Sequence, residues 1–294
     1  ISNNKTERRC FAAAVKQAEA AGYESLDNVV REGRTLEAGS KVWAGVHGKS
    51  LILVHVGTEP LEAGLNILGA HIDSPRLDLK QNPVYENNGF AFLDTHYYGG
   101  IKHYQWVTLP LALHGVVAKT DGTVVDVNVG DDAGDPVFCV TDLLPHLGNQ
   151  QMAKKGSEVV EGENLDVLIG NRPLVVEPAD DASDEEKAAA KEPVKAFALK
   201  LLEEKYGITE EDFLSAEIEV VPAGRARELG FDRSMVIGYG QDDRVCAYTS
   251  LEAQLAIETP KKTAVTVLVD KEEIGSCGAT GMTSHFYENA LAEI

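Results

Sequence analysis

The sequence contains no Gly-x-x-x-x-Gly-Lys-Ser/Thr run, so the backbone cradle that holds nucleotide phosphates is missing. No Gly-x-Ser-x-Gly elbow surrounds Ser74, which removes the usual support for a serine nucleophile. Basic residues are scarce: 27 Lys plus Arg stand against 47 Asp plus Glu, for a net charge of −20. Such a chain repels phosphate backbones, which argues against nucleic acid as a partner. No run approaches the ~20 apolar residues of a bilayer-crossing helix, which excludes such a helix and argues against a membrane partner. The four cysteines, Cys10, Cys139, Cys246 and Cys277, form no Cys-x-x-Cys pair, so neither a zinc ribbon nor a redox dithiol is indicated. They are expected to be reduced, mostly buried thiols of an intracellular, cytoplasmic protein. Residues 1–9 have no apolar stretch of signal-peptide type and no initiator Met, which predicts a chain trimmed at its front. What is present is ordinary for a globular protein: 294 residues, 44% apolar and 25% charged, enough for one large domain or two modest ones.

Apolar spacing of three and four through Cys10, Phe11, Ala14, Val15 and Ala18 predicts a helix from Thr6 to about Gly22. Strand-like runs at 41–46 and 50–56 flank His47-Gly48-Lys49 and read as a hairpin. Residues 65–70 read as a short buried strand that ends directly on His71-Ile72-Asp73-Ser74. From 107 to about 137, short β runs alternate with turn residues, an antiparallel module rather than βαβ. Residues 177–186 are acidic and loop-like. Val194, Phe197, Ala198, Leu201 and Leu202 then make one helical stripe between Pro193 and Gly207. Tyr239-Gly240-Gln241-Asp242-Asp243-Arg244 opens another helix through Leu255. Residues 263–269 form the clearest buried strand, running straight into Asp270-Lys271-Glu272-Glu273. The fold class is α/β, a mixed-sheet domain interrupted by a β-rich insert.

Three polar clusters follow apolar runs: His71 with Asp73, Asp242 with Asp243, and Glu272 with Glu273. Imidazole plus carboxylates suits zinc and its neighbours. In His-x-Asp, the aspartate can accept the far ring N–H and fix the tautomer of a ligating imidazole. Adjacent glutamates can divide labour, one holding metal and one moving a proton. Each pair also has a plain structural explanation: a satisfied histidine, a helix N-cap, a solvated Glu-Glu. The same placement three times favours a metal site. Cys277 reads as a packed thiol, and Tyr98-Gly99-Gly100 is too short for a phosphate cradle.

In their order, these clusters resemble the zinc aminopeptidases of the aspartyl aminopeptidase and aminopeptidase I type. Gly69-Ala70-His71-Ile72-Asp73-Ser74-Pro75 is similar to their Ala-His-x-Asp-Ser-Pro motif. Tyr98-Gly99-Gly100 resembles their next motif, and 270–276 resembles their Glu-Glu-x-Gly-Ser. The resemblance implies a mixed-sheet di-zinc catalytic domain in two segments, 1–106 and 233–294, around an inserted β-rich dimerisation domain at 107–232. It implies two divalent metal ions, zinc foremost, with cobalt or manganese as alternatives. His71 and Glu273 would each bind one ion, Asp242 would bridge both, Asp73 would stand behind His71, and Glu272 would be the general base on the bridging water. His146, in Leu144-Pro145-His146-Leu147, would reach the active site of a partner subunit in dimers assembled into a dodecamer. The implied activity is removal of N-terminal residues from peptides.

Val107-Thr108 after Trp106, where the aspartyl branch has Asp-Arg, and Asp243-Arg244 after the bridging Asp, where Asn-Leu is usual, favour the broader aminopeptidase I type. Two other readings stay open: a related di-metal carboxypeptidase or amidohydrolase, and a non-catalytic assembly subunit. Family members continue past the position of Ile294 and supply one further Asp and one further His. The chain is therefore expected to be part of a longer protein whose missing part leaves apolar surface uncovered. Two protein ligands per ion fall short of the three that catalytic zinc sites normally have. Residues 1–294 expressed alone with excess zinc or cobalt are accordingly expected to hydrolyse no aminoacyl substrate. Clear metal-dependent turnover in that assay would place the remaining ligands elsewhere in the chain.

Overall fold

The computed structural model describes residues 1–175 and 183–294, so residues 177–182 of the acidic stretch lie outside the described residues. The chain divides into two units, Ile1–Ser74 with Arg225–Ile294, and Pro75–Gly224.

The discontinuous unit is built on a five-stranded sheet in the order Glu24–Ser25, Lys41–Val46, Ser50–His55, Ala264–Val269, Asn66–His71. All residues of Ser50–His55 and Ala264–Val269 are buried, as expected of central strands covered on both faces. Side chains alternate across a strand, so Leu51 and Leu53 pack with Ala14, Ala18 and Leu251 while Ile52 and Val54 pack with Leu26, Val29 and Tyr287. Helices Glu7–Ala20 and Gln241–Leu255 therefore cover one face, and Leu26–Arg31 and Phe286–Ala292 the other. The predicted N-terminal helix starts at its cap, where the Thr6 side chain accepts the Arg9 N–H.

Among the described residues strand Asn66–His71 pairs with Ala264–Val269 alone, at the edge of the described sheet, where Ile67 is 57% and Leu68 43% exposed. An apolar run reads as buried in sequence, yet burial depends on a neighbour that the run itself does not encode. Among the described residues no cysteine forms a disulfide, and against the expectation of mostly buried thiols Cys246 and Cys277 are exposed and the other two half-buried.

The second unit carries a seven-stranded antiparallel sheet in the order Val124–Val129, Leu111–Ala118, Ala216–Pro222, Arg76–Asn87, Phe90–Tyr98, Val167–Gly170, Cys139–Val140. The β runs after 107 are thus part of a larger sheet that begins at Arg76, ahead of the expected boundary. Arg76–Asn87 is threaded with Arg, Asp, Lys, Gln and Glu and offers no apolar run to mark it as a strand. Helix Pro193–Tyr206 has Pro at its first turn and ends at Gly207 with φ 65°, the left-handed conformation glycine adopts without strain. No helix among the described residues is long and apolar enough to cross a membrane.

Candidate active site

Parallel pairing of Ala264–Val269 with Asn66–His71 puts Val269 opposite His71, so both strands end level at one edge. That is where α/β sheets collect their functional groups. Beyond His71 come Ile72 and Asp73; beyond Val269 comes a tight turn in which Glu272–Ile274 form one short helical turn. Lys271 enters that turn at φ 71° and Gly275 leaves it at φ 89°. The turn is tied down from below. The Asp270 N–H donates to Ser50 Oγ at 2.9 Å, the Ser50 hydroxyl donates to the Thr280 carbonyl at 2.6 Å, and the Thr280 hydroxyl donates to Asp270 Oδ2 at 2.6 Å. Burial, aided by the charge of Glu7, pushes the Asp270 carboxyl up.

Asp73 is fully buried, and its two carboxylate oxygens face two directions at once. Oδ1 accepts the Glu272 N–H at 3.3 Å and Oδ2 accepts the Glu273 N–H at 3.2 Å. Oδ1 also lies 3.3 Å from His71 Nδ1, whose N–H donates to the Asp73 backbone oxygen at 3.0 Å. Ring orientation is thereby fixed, and Nε2 faces outward, 3.2 Å from Asp242 Oδ1 and 3.6 Å from Glu272 Oε2. Asp242 stands at the start of helix Gln241–Leu255, its side chain 88% exposed and its carbonyl accepting the Ser74 hydroxyl at 3.3 Å.

Donor atoms of His71, Glu272 and Glu273 lie within 4.8 Å of one another, as do those of His71, Asp242 and Asp243. One imidazole nitrogen with carboxylate oxygens on either side is a donor set that fits zinc. Its electrostatics point the same way: burial first, then the charge of Asp73, push the Glu273 carboxyl up, and a cation would relieve both. The structure thus brings His71, Asp73, Asp242, Glu272 and Glu273 together. His146 lies in the other unit, in an exposed turn. Asp243 enters the donor set as well, in keeping with its pairing with Asp242 in the sequence. The hydrogen bond from Ser74 to Asp242 had no sequence signal beyond proximity to His71.

Burial pulls the His71 imidazolium down, but its bonding to Asp73 and the charges of Asp73 and Glu272 outweigh that and lift it to about 9. In metal-free protein this protonation contributes stability that is complete below the ordinary value near 6.5 and is lost as pH rises through about 9. Metal uptake must displace that proton. Ring NMR of chelator-treated protein is expected to show His71 titrating near 9, and Asp73→Asn is expected to lower that midpoint clearly. A midpoint near 6.5 in both proteins would contradict this coupling.

Comparison with known proteins gives a consistent picture. The family model for aminopeptidase I zinc metalloprotease (M18) matches residues 1–294. A probable M18 family aminopeptidase 1 from Clostridium acetobutylicum is 58% identical over the whole chain, which spans 61% of that relative. The crystal structure of aminopeptidase I from the same organism superposes with a TM-score of 0.88 at 57% identity, covering 100% of this chain and 62% of that one. An M18 aminopeptidase from Thermotoga maritima gives a TM-score of 0.88 at 44% identity, covering 99% and 60%. A dodecamer of mApe1 from S. cerevisiae, at 18% identity, TM-score 0.73 and coverage of 100% and 64%, shares the fold.

Proposed function

The chain belongs to the aminopeptidase I zinc metalloprotease family (M18), and from that premise we propose that it forms the metal- and water-handling part of an aminopeptidase that removes N-terminal residues from peptides. The observation that carries the reading is the meeting of His71 Nε2 with Asp242 and Glu272 at one edge of a parallel strand pair, over a buried Asp73. His71, Asp242 and Glu273 would hold two divalent ions, zinc foremost, with Asp242 serving both. When bound, these ions acidify water and polarise the scissile carbonyl.

Asp73 keeps the His71 ring in the orientation that turns Nε2 outward, and its grip on two amides holds the Glu272–Glu273 backbone in place. Glu272, half-exposed beside His71, takes a proton from water and passes it to the leaving amine. The unit Pro75–Gly224 pairs subunits, and its short antiparallel strands leave edges that a partner can cover. His146, in its exposed turn, serves a neighbouring subunit's site within a dodecamer assembled from dimers. Val107 and Asp243-Arg244 favour the broad aminopeptidase I type over a preference for acidic N-terminal residues. Cysteines that form no disulfide among the described residues support a reducing, cytoplasmic setting.

The full-length protein tests this directly. It is expected to release the N-terminal residue of free peptides in a metal-dependent way and to leave N-acetylated peptides intact. Release from the carboxyl end, or cleavage of the blocked peptide, would replace the aminopeptidase reading with the carboxypeptidase or amidohydrolase one. Glu272→Gln is expected to keep its metals and lose about 10²–10⁴-fold in kcat/KM. Retention of more than about a tenth of the activity would remove Glu272 from the base role.

A further inference from the structure

Arg244 is the sequence's departure next to the metal-site aspartate, and the structure gives it an unusual setting. Its side chain is buried, although arginine is almost always exposed unless paired. Among the described residues its hydrogen-bond partners are all backbone oxygens. Nε donates to the Gly240 carbonyl at 3.0 Å, Nη1 to those of Asn4 and, at 3.4 Å, Ile1, and Nη2 to that of Tyr239. The guanidinium also lies over the Tyr239 ring, 5.3 Å from its centroid. One planar fork thus gathers two stretches of backbone: residues 1–4, and the loop 239–240 that leads into Asp242.

Gly240 shows how closely this loop is built around the guanidinium. Its φ of 69° suits glycine, and a Cβ there would overlap Arg244 Nη2. Asp242 itself has non-helical backbone angles (φ −86°, ψ 114°) and a carboxylate that is 88% exposed, so its own side chain has little packing to aim it. What aims it is the backbone on either side. Ser74 bonds the Asp242 carbonyl, and Arg244 bonds the carbonyls of Tyr239 and Gly240 in the loop that leads through Gln241 into it.

We propose that Arg244 is a positioning residue for Asp242: its buried guanidinium locks the 239–240 loop to residues 1–4 and so sets where the Asp242 carboxylate meets His71. The proposal rests on the reading of Asp242 as a metal ligand. Five donors in a fixed plane suit four carbonyls converging from two segments, which an ammonium cannot reproduce.

The test is a double-mutant cycle on cobalt binding, followed by the absorption of the bound ion, in the full-length protein. Groups that orient a metal ligand are typically worth about 10–100-fold in metal affinity. Arg244→Met is expected to weaken binding by about that factor in the wild-type background and to add little once Asp242→Asn is present. Gly240→Ala, which displaces the guanidinium without removing it, is expected to produce the same loss, and it carries the test if Arg244→Met does not fold. Additive losses in the cycle, or unchanged cobalt affinity in Arg244→Met and Gly240→Ala, would overturn the proposal. Tight cobalt binding with the expected coupling but no peptide hydrolysis would leave Arg244 in this role and instead refute the aminopeptidase activity.

Discussion

A single buried carboxylate, that of Asp73, organises everything around it. Taking a carboxylate out of water is costly unless hydrogen bonds or opposite charge replace its hydration. Here two amides and an imidazole do so, contributed by segments about two hundred residues apart in sequence. The same contacts set the geometry of the site: one end of the carboxylate orients His71, and both oxygens hold the backbone of Glu272 and Glu273. Because those amides lie on a turn with two left-handed residues, the turn depends on Asp73 as much as Asp73 depends on it. The Ser50, Thr280 and Asp270 network underneath fixes the turn to the sheet, so the polar edge inherits the rigidity of the central strands.

Above that buried base the chemistry is dominated by like charges. Asp242, Asp243, Glu272 and Glu273 face the same imidazole, in a chain whose net charge is −20. Without metal, the imidazole answers by holding its proton, and Glu273 moves up. A divalent cation would neutralise this crowding more effectively than one proton can. Arg244 contributes a positive charge to the same neighbourhood, but through backbone oxygens rather than through any carboxylate.

How much of this was visible in the sequence differs from element to element. The central strand before Asp270, the hairpin around Gly48 and the helix opening at Gln241 follow from periodicity and turn residues, because local chemistry determines them. His71, Asp242, Glu272 and Glu273 could be picked out because each follows an apolar run. The bonds from the Glu272 and Glu273 amides to Asp73 could not, since they depend on the register that sets Val269 opposite His71. Strand Asn66–His71 reads as buried but lies at an edge, for burial is a property of neighbours. The long strand Arg76–Asn87 escapes notice because its polar residues break every apolar run. Arg244 stands out in sequence only as a departure; its burial contradicts the usual habit of arginine and is visible only in the fold.

The most direct test of the account is anomalous diffraction at the zinc edge from crystals of the zinc-loaded full-length protein. Zinc is predicted to sit within bonding distance of His71 Nε2, Asp242 and Glu273, with Asp73 still on the far side of the imidazole and Glu272 outside the coordination. Zinc bound away from His71, or bound with Asp73 turned out to become a ligand itself, would contradict the central role given to that buried carboxylate.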